Sequence, residues 1–242
     1  MIVEIAVSTI ESVRNAFEGG ADRIELCSAL PLGGLTPSAG FIEDAVAFGK
    51  MPVFAMIRPR EGDFIYSDDE LKCMLIDIAF SKKAGVHGIV SGVLNDKGEI
   101  DFEKTKQLVE ASHPLPFTFH RAFDRTTDHH RSAEILIQAG VHRLLTSGMK
   151  AGAFEGKDVI RDLQQRYSKQ LIILAGAGVN PSNVAKLVSY TGVHEVHLSA
   201  SLKRKNSHSS KVSMGISDDG SYSVSDSDIV RMIKSETKQF NS

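Results

Sequence analysis

Short apolar segments alternate with longer amphipathic segments along most of the chain. Residues 2–7 and 22–27 are rich in β-branched and aliphatic side chains, as buried strands are, whereas residues 8–18 and 38–48 carry apolar residues at helical spacing. Further strands are predicted at 52–57, 88–91, 116–120, 143–146, 171–175 and 195–199. Strand–helix alternation indicates parallel pairing through right-handed crossovers. Eight such units in 242 residues favour an α/β fold that is a single-domain (β/α)8 TIM barrel.

Local signals mark where several helices begin. Ser8 with Glu11 and Ser67 with Glu70 have the spacing of capping boxes, and Asn180 followed by a proline predicts the start of the seventh helix. The alternation stops after Ser199. We predict an irregular excursion over about 203–224 and a last helix over about 225–238.

Composition excludes several classes of protein. The net charge is −2, and 42% of the residues are hydrophobic and 24% charged, so neither nucleic acid nor a membrane is predicted as a partner. Two cysteines without a CxxC pair argue against a disulfide framework, and no apolar run is long enough to span a membrane. A cytoplasmic protein is the expectation.

The side chains expected to point into the barrel are unusually charged. Alternation along the strands places Glu4, Arg23, Glu25 and Arg58 inward, together with Thr118 and His120 on the fifth strand and Glu195 and His197 on the eighth. Buried charges must pair with each other or face a wet pocket. Two readings stay open: an ion-pair network that fills the barrel, and a ligand site at the carboxyl ends of the strands, where His120 is followed by Arg121 and Asp124.

Other motifs at strand ends predict anion binding. Arg58 and Arg60 flank a proline that favours extended backbone, so both guanidiniums could hold a carboxylate or phosphate. Ser147 ends the sixth strand, and Gly176 and Gly178 form a glycine-rich turn that could present N–H groups to a phosphate.

A metal site is an alternative reading of the same barrel end. Cys27, Met56 and His120 are soft or borderline ligands on inward positions, and a thiolate with a thioether favours Cu(I). His129 and His130 begin a helix, where their side chains are expected to diverge on the surface.

Six sequence blocks resemble the signature of the CutC copper homeostasis family. They are Asp22–Cys27, Gly33–Ser38, Met56–Arg60, Thr118–Asp124, Leu145–Gly148 and Ala175–Val179, with Met214–Gly215 as a weaker match. The resemblance implies a cytoplasmic TIM barrel that forms a homodimer or higher homo-oligomer and takes part in copper tolerance. It also implies copper binding by two cysteines near the ends of the first two strands. Cys27 matches the second, but Ala6 stands at the first position, so half of the thiolate pair is missing.

Three functional hypotheses follow, and the third is a non-enzymatic scaffold whose barrel is only structural, against which the concentration of charge at the strand ends stands. In the first, the chain is a cytosolic copper-homeostasis protein that binds Cu(I) weakly through Cys27. In the second, it is an enzyme with lyase- or isomerase-like acid–base chemistry on a small anionic or phosphorylated metabolite. There, His120 or Asp124 is the catalytic acid or base with Glu25 as partner, and the substrate-binding residues are Arg58, Arg60, Arg121, Ser147, Gly176 and Gly178.

Overall fold

A closed barrel of eight parallel strands forms the centre of the computed structural model, which describes residues 1–208, 212 and 219–240. Neighbouring strands follow the chain order, and the first strand closes the barrel against the eighth. This architecture confirms the predicted (β/α)8 TIM barrel. The strands are β1 Ile2–Val7, β2 Arg23–Leu26, β3 Val53–Met56, β4 Gly88–Ser91, β5 Phe117–Phe119, β6 Arg143–Thr146, β7 Ile172–Gly176 and β8 Glu195–Leu198.

Helices connect the strands and cover the outside of the barrel. They are α1 Ile10–Glu18, α2 Ala39–Phe48, α3 Asp68–Ala84, α4 Phe102–Ser112, α5 His129–Gln138, α6 Lys157–Tyr167, α7 Val184–Thr191 and α8 Ser227–Thr237. Alternate aliphatic residues of the strands point outward against these helices. Val3, Ile5 and Ile24, for example, are fully buried in the main hydrophobic core. Burying such side chains stabilises the fold by about 1.5–3 kcal/mol each.

The helix starts agree with the local signals in one place and differ in two. Ser67 and Glu70 form the predicted capping box of α3. α1 is capped by Thr9 instead of Ser8, because the Thr9 hydroxyl accepts the Ser12 amide at 3.0 Å. α7 begins after Asn183, since Asn180 takes part in the preceding turn through its bond to Ser182.

The segment predicted as an irregular excursion over 203–224 contains regular structure at both ends. β9 (Ser201–Lys205) and β10 (Ser221–Ser225) pair antiparallel outside the barrel. The prediction rested on the basic and serine-rich composition. β9 is exposed along its whole length and β10 buries only Val224 and Ser225, so no alternating burial pattern marks either strand. The weaker motif Met214–Gly215 lies outside the described residues.

Among the residues that the structure describes, no helix is both long enough and apolar enough to cross a membrane.

Candidate active site

A cavity of about 1070 Å³ opens at the carboxyl ends of the barrel strands. Its walls include Ala6 from β1, Glu25 from β2 and Met56 from β3, and the floor is completed by His120, directly after β5, and by His197 from β8. The long loops after these strands form its rim. In TIM barrels this end carries the chemistry, because loops from many strands converge there.

Below the cavity, the barrel interior is filled by paired charges. Arg23 bonds both Glu4 and Glu195, the latter at 2.5 Å, and Arg143 bonds Glu195 at 2.7 Å. All four residues are buried. The network reading is therefore correct for Glu4 and Arg23, with Arg143 as a further cation that the sequence analysis did not single out. Arg58 does not join this network.

Glu25 lies above this network at the cavity floor with an incomplete set of partners. Its carboxyl is 3% exposed, and its Oε1 accepts no hydrogen bond among the described residues. Its Oε2 is 3.8 Å from Nε2 of His197, whose Nδ1 is 2.8 Å from Glu4 Oε1. Burial is the largest cause that raises the pKa of Glu25, and the negative charge of Glu4 adds to it, so the pKa is about 7.

Among the described residues, the carboxylates of the barrel interior outnumber its guanidiniums by one, so the interior is neutral when it binds one further proton. Glu4, Glu25 and Glu195 face the two guanidiniums of Arg23 and Arg143, so a single additional positive charge neutralises the group. Burial alone would raise the pKa of Glu4, but the hydrogen bond and charge of His197 and the charge of Arg23 lower it to about 2. The extra proton therefore belongs to Glu25 and His197. Burial opposes protonation of His197, but the nearby carboxylates of Glu25 and Glu4 raise its pKa.

His120 is a neutral hydrogen-bond donor in this setting. Burial is the main cause that lowers its pKa to about 3, and the charge of Arg58 adds to it. Its Nδ1 accepts the Ala122 amide at 3.3 Å, which leaves the ring proton on Nε2. That Nε2 has no partner among the described residues, while the ring lines the cavity beside Phe64. His120 can thus polarise a ligand oxygen but is not protonated at neutral pH.

The two arginines of the Met56–Arg60 motif do not converge on one ligand. Arg58 lines the cavity, and its guanidinium donates to the carbonyls of Leu32, Gly34 and Gly62 at 2.9–3.2 Å. Arg60 turns away from the cavity and pairs with Glu70 at 2.5 Å. Alternation could not foresee this, because β3 ends at Met56 and the backbone beyond is a loop. Arg58 therefore holds the rim loops together and adds positive charge to the wall.

Asp124 anchors the loop after β6. Its carboxylate accepts hydrogen bonds from the hydroxyl of Thr146 and from the amide and hydroxyl of Ser147. The Met149 amide and the Arg121 side chain complete its shell at 3.1 and 2.9 Å. Hydrogen bonds from the protein already occupy both oxygens of Asp124, so among the predicted acid–base residues the geometry favours Glu25. Arg121 and Asp124 line the cavity, while Ser147 is buried behind them.

The two predicted glycines of the turn after β7 have different roles. Gly176 is a packing position, because a Cβ there would lie 2.5 Å from a side-chain carbon of Leu145. Gly178 lines the cavity with a φ of +68°, which favours glycine. Within the described part of the chain, the cavity residues Arg125 and Lys150 make no salt bridge. Two uncompensated cations at the mouth suit an anionic ligand better than the predicted Arg58–Arg60 pair.

The Cys27 region does not fit a Cu(I) site. Cys27 is fully buried in a small apolar cluster with Phe54, Met56 and Val90, and it does not line the cavity. Burial, with the Glu25 charge as a second cause, raises the pKa of its thiol, whereas copper requires the thiolate. Ala6 supplies no second sulfur. Cys27 is therefore given no role as a copper ligand in the mechanism.

Five cavity or network residues were not assigned a site role from the sequence. Glu195 and His197 were placed on the inward face of the eighth strand but given no function, and Arg125, Arg143 and Lys150 were not considered. The alternation of β8 that places Glu195 inward also places His197 inward, so this signal was available for His197. Lys150 lies in an irregular loop, where no periodicity indicates its direction.

Comparison with known proteins adds a family relationship. The sequence profile of the CutC family matches residues 1–202. A family protein CutC from Vibrio vulnificus is 50% identical over 204 residues, which cover 84% of this chain and 82% of that protein. A copper homeostasis protein cutC homolog from Caenorhabditis elegans is 43% identical over 233 residues, 96% of this chain and 93% of that protein.

A solved structure supports the same family relationship. The crystal structure of a CutC protein from Streptococcus agalactiae superposes with a TM-score of 0.79 at 32% identity, covering 82% of this chain and 98% of that one. The matched regions of the sequence include all eight barrel strands, and therefore the residues of the cavity floor.

Proposed function

The chain belongs to the CutC family, and from this premise and the cavity geometry we propose that it is an enzyme that transfers a proton on a small anionic carbonyl metabolite. The observation that carries the proposal is the Glu25 carboxyl. It is buried at the cavity floor, one of its oxygens has no partner among the described residues, and its pKa is about 7. General acid–base catalysis is most efficient when the pKa lies near the working pH.

In the proposed mechanism, Glu25 removes a proton from the carbon next to a substrate carbonyl and returns it to a neighbouring atom. The Nε2–H of His120 donates to the carbonyl oxygen and stabilises the negative charge that develops there. When Glu25 is ionised and acts as the base, the proton that the two residues share lies on His197, 3.8 Å away. Such chemistry matches the isomerase- or lyase-like activity predicted from the sequence.

The cavity mouth supports the anionic part of the proposal. Arg125 and Lys150 line the mouth, and within the described residues neither has a carboxylate partner. Gly178 in the turn after β7 lines the same wall, in a position where barrels often bind a phosphate. A phosphate or carboxylate bound there would place the rest of a small metabolite over Glu25 and His120.

The family relationship supports a further proposal, a role in copper homeostasis, because a relative from Caenorhabditis elegans carries that description. The geometry at Cys27 gives no mechanism for it. A cytosolic location is proposed on the same ground and on the two free cysteines, Cys27 and Cys73, which suit a reducing compartment. Homo-oligomer formation stays a prediction.

Hydrogen–deuterium exchange tests the proposed proton transfer without knowledge of the substrate. Small carboxylated and phosphorylated aldehydes and ketones are incubated with the protein in D₂O, and carbon-bound deuterium is followed by NMR. We expect exchange in at least one compound and a loss of about 100-fold or more in Glu25→Gln, because the carbon acid then has no base.

A matched substitution separates this effect from a general change of charge. Glu103 is exposed in the first turn of α4 and does not line the cavity, so Glu103→Gln is expected to exchange at the wild-type rate. Exchange that is equally fast in Glu25→Gln and the wild type would show that Glu25 is not the base.

A further inference from the structure

A second cluster of ligand-type side chains lies on the outside of the barrel, between α5 and α6. His129 and His130 are the first two residues of α5, and Asp162 lies on α6. The Nε2 atoms of His129 and His130 are 3.2 and 3.0 Å from the same oxygen, Oδ2 of Asp162. The expectation that the two histidines diverge is therefore wrong, because the facing helix supplies a group on which both rings converge.

The hydrogen bonds around His130 determine which of its ring nitrogens carries the proton. The Tyr167 hydroxyl is 3.4 Å from a carboxylate oxygen of Glu134, which can only accept, so the tyrosine proton points to Glu134. The Tyr167 oxygen then accepts from Nδ1 of His130 at 3.2 Å. In a neutral His130 this leaves a lone pair on Nε2, which faces the Asp162 carboxylate at 3.0 Å. Two facing lone pairs repel each other unless a cation lies between them.

The two imidazole rings lie side by side, with their centroids 4.1 Å apart. The Nε2 atom of each ring faces Oδ2 of Asp162. One metal ion bound by both rings and the carboxylate would occupy the position on which these three atoms converge.

The donor set and its spacing suit a divalent transition-metal ion. Two imidazole nitrogens and one carboxylate oxygen are the ligands that Zn²⁺ and Cu²⁺ accept, and a fourth position stays open to water. Donors around a tetrahedral Zn²⁺ are about 3.3 Å apart, close to the separations found here. Arg166 donates to the other oxygen of Asp162 at 3.1 Å, which orients the carboxylate and leaves Oδ2 for the metal.

We infer that His129, His130 and Asp162 form a surface site for one divalent transition-metal ion such as Zn²⁺ or Cu²⁺. Tyr167 is a positioning residue that holds the His130 ring in the ligand tautomer, as outer partners of metal-bound histidines do. The site is separate from the proposed active site, since none of its residues lines the cavity.

Calorimetric titration of the chelator-treated full chain with Zn²⁺ tests this site. We expect one Zn²⁺ per chain in the wild type and an affinity weakened by at least about tenfold in His129→Ala and in His130→Ala. His194→Ala, which removes an exposed histidine outside the cluster, should bind as the wild type does. Cu²⁺ bound to the wild type should show hyperfine coupling to two imidazole nitrogens, and to fewer in His130→Ala.

The barrel interior offers a competing set of ligands in Glu4, Glu25 and His197. Zn²⁺ binding that is unchanged in Glu25→Gln supports the surface site. Binding that is lost in Glu25→Gln places the metal inside the barrel and overturns the inference. Equal affinity in the wild type and His130→Ala, or no binding to the wild type, also overturns it.

Discussion

Replacing Arg23 by methionine is expected to lower the free energy of unfolding by about 3–5 kcal/mol at pH 7. Arg23 is the central cation of the barrel interior and bonds Glu4 and Glu195. Both carboxylates are buried, and Arg143 and His197 compensate them only in part, so the substitution leaves an excess of negative charge where water cannot solvate it. Methionine keeps most of the side-chain volume, and the effect is therefore electrostatic. Urea unfolding of both proteins measures the difference.

Two comparisons make this result specific. Arg14 is exposed on α1, and Arg14→Met, which removes the same charge, should change stability by less than about 0.5 kcal/mol. Adding Glu4→Gln to Arg23→Met should restore part of the loss, since it removes one of the stranded charges. A loss in Arg23→Met no larger than in Arg14→Met would contradict a network of buried ion pairs.

The loss of folding stability at acidic pH should depend on His120, and the expected effect is comparable in size to that of Arg23→Met. The pKa of His120 is about 3 in the folded chain, below the ordinary value of 6.5, mainly because burial disfavours the charged ring. A depressed pKa contributes stability at pH values above 6.5 and loses it as the pH falls towards 3. Each pH unit in this window corresponds to about 1.4 kcal/mol, so the wild type should lose about 4 kcal/mol from this residue between pH 6.5 and 3.5.

The variant His120→Asn isolates this contribution. Asparagine can cap the turn after β5 by accepting the Ala122 amide, as His120 does, but it cannot take a proton in this range. The pH dependence of unfolding should therefore be flatter in His120→Asn, while the loss from Glu4, whose pKa is about 2, is common to both proteins. His113 is exposed, and His113→Asn should follow the wild-type curve. Parallel curves for the wild type and His120→Asn would contradict a buried neutral His120.

The barrel could be predicted because its signal repeats along the chain. Each strand is a short aliphatic run, and each crossover is long enough for a helix, so errors at single boundaries did not change the topology. α7 begins three residues after the position predicted from Asn180, and the closed barrel is unaffected. The pair β9 and β10 was missed because β9 is exposed along its whole length and β10 buries only its last two residues, so the polar composition resembles a loop.

The candidate site was predictable only as far as strand alternation extends. Glu4, Arg23 and Glu25 point inward as expected, because they lie within β1 and β2. Arg60 and Asp124 follow the ends of strands, and their directions depend on partners elsewhere. Asp124 bonds residues more than 20 positions away, which no local pattern reveals.

The raised pKa of Glu25 could not be predicted from the alternation of side chains along the strands either. Its pKa results from burial and from Glu4 and His197, which lie on β1 and β8. The convergence of His129 and His130 on Asp162 likewise depends on how α5 packs against α6. Sequence patterns identify which residues face inward, and the packing of separate elements decides their charge states.

The proposed function requires that Glu25 exchanges a proton near neutral pH inside the cavity. Carbon-13 NMR of protein labelled at the glutamate side-chain carboxyl measures this directly, and Glu25→Gln assigns the resonance. We expect one buried carboxyl with a titration midpoint at about 7 that is missing in the variant. A Glu25 resonance that titrates near 4.5, the ordinary glutamate value, would show an ionised carboxylate at neutral pH and would contradict the proposed acid–base role.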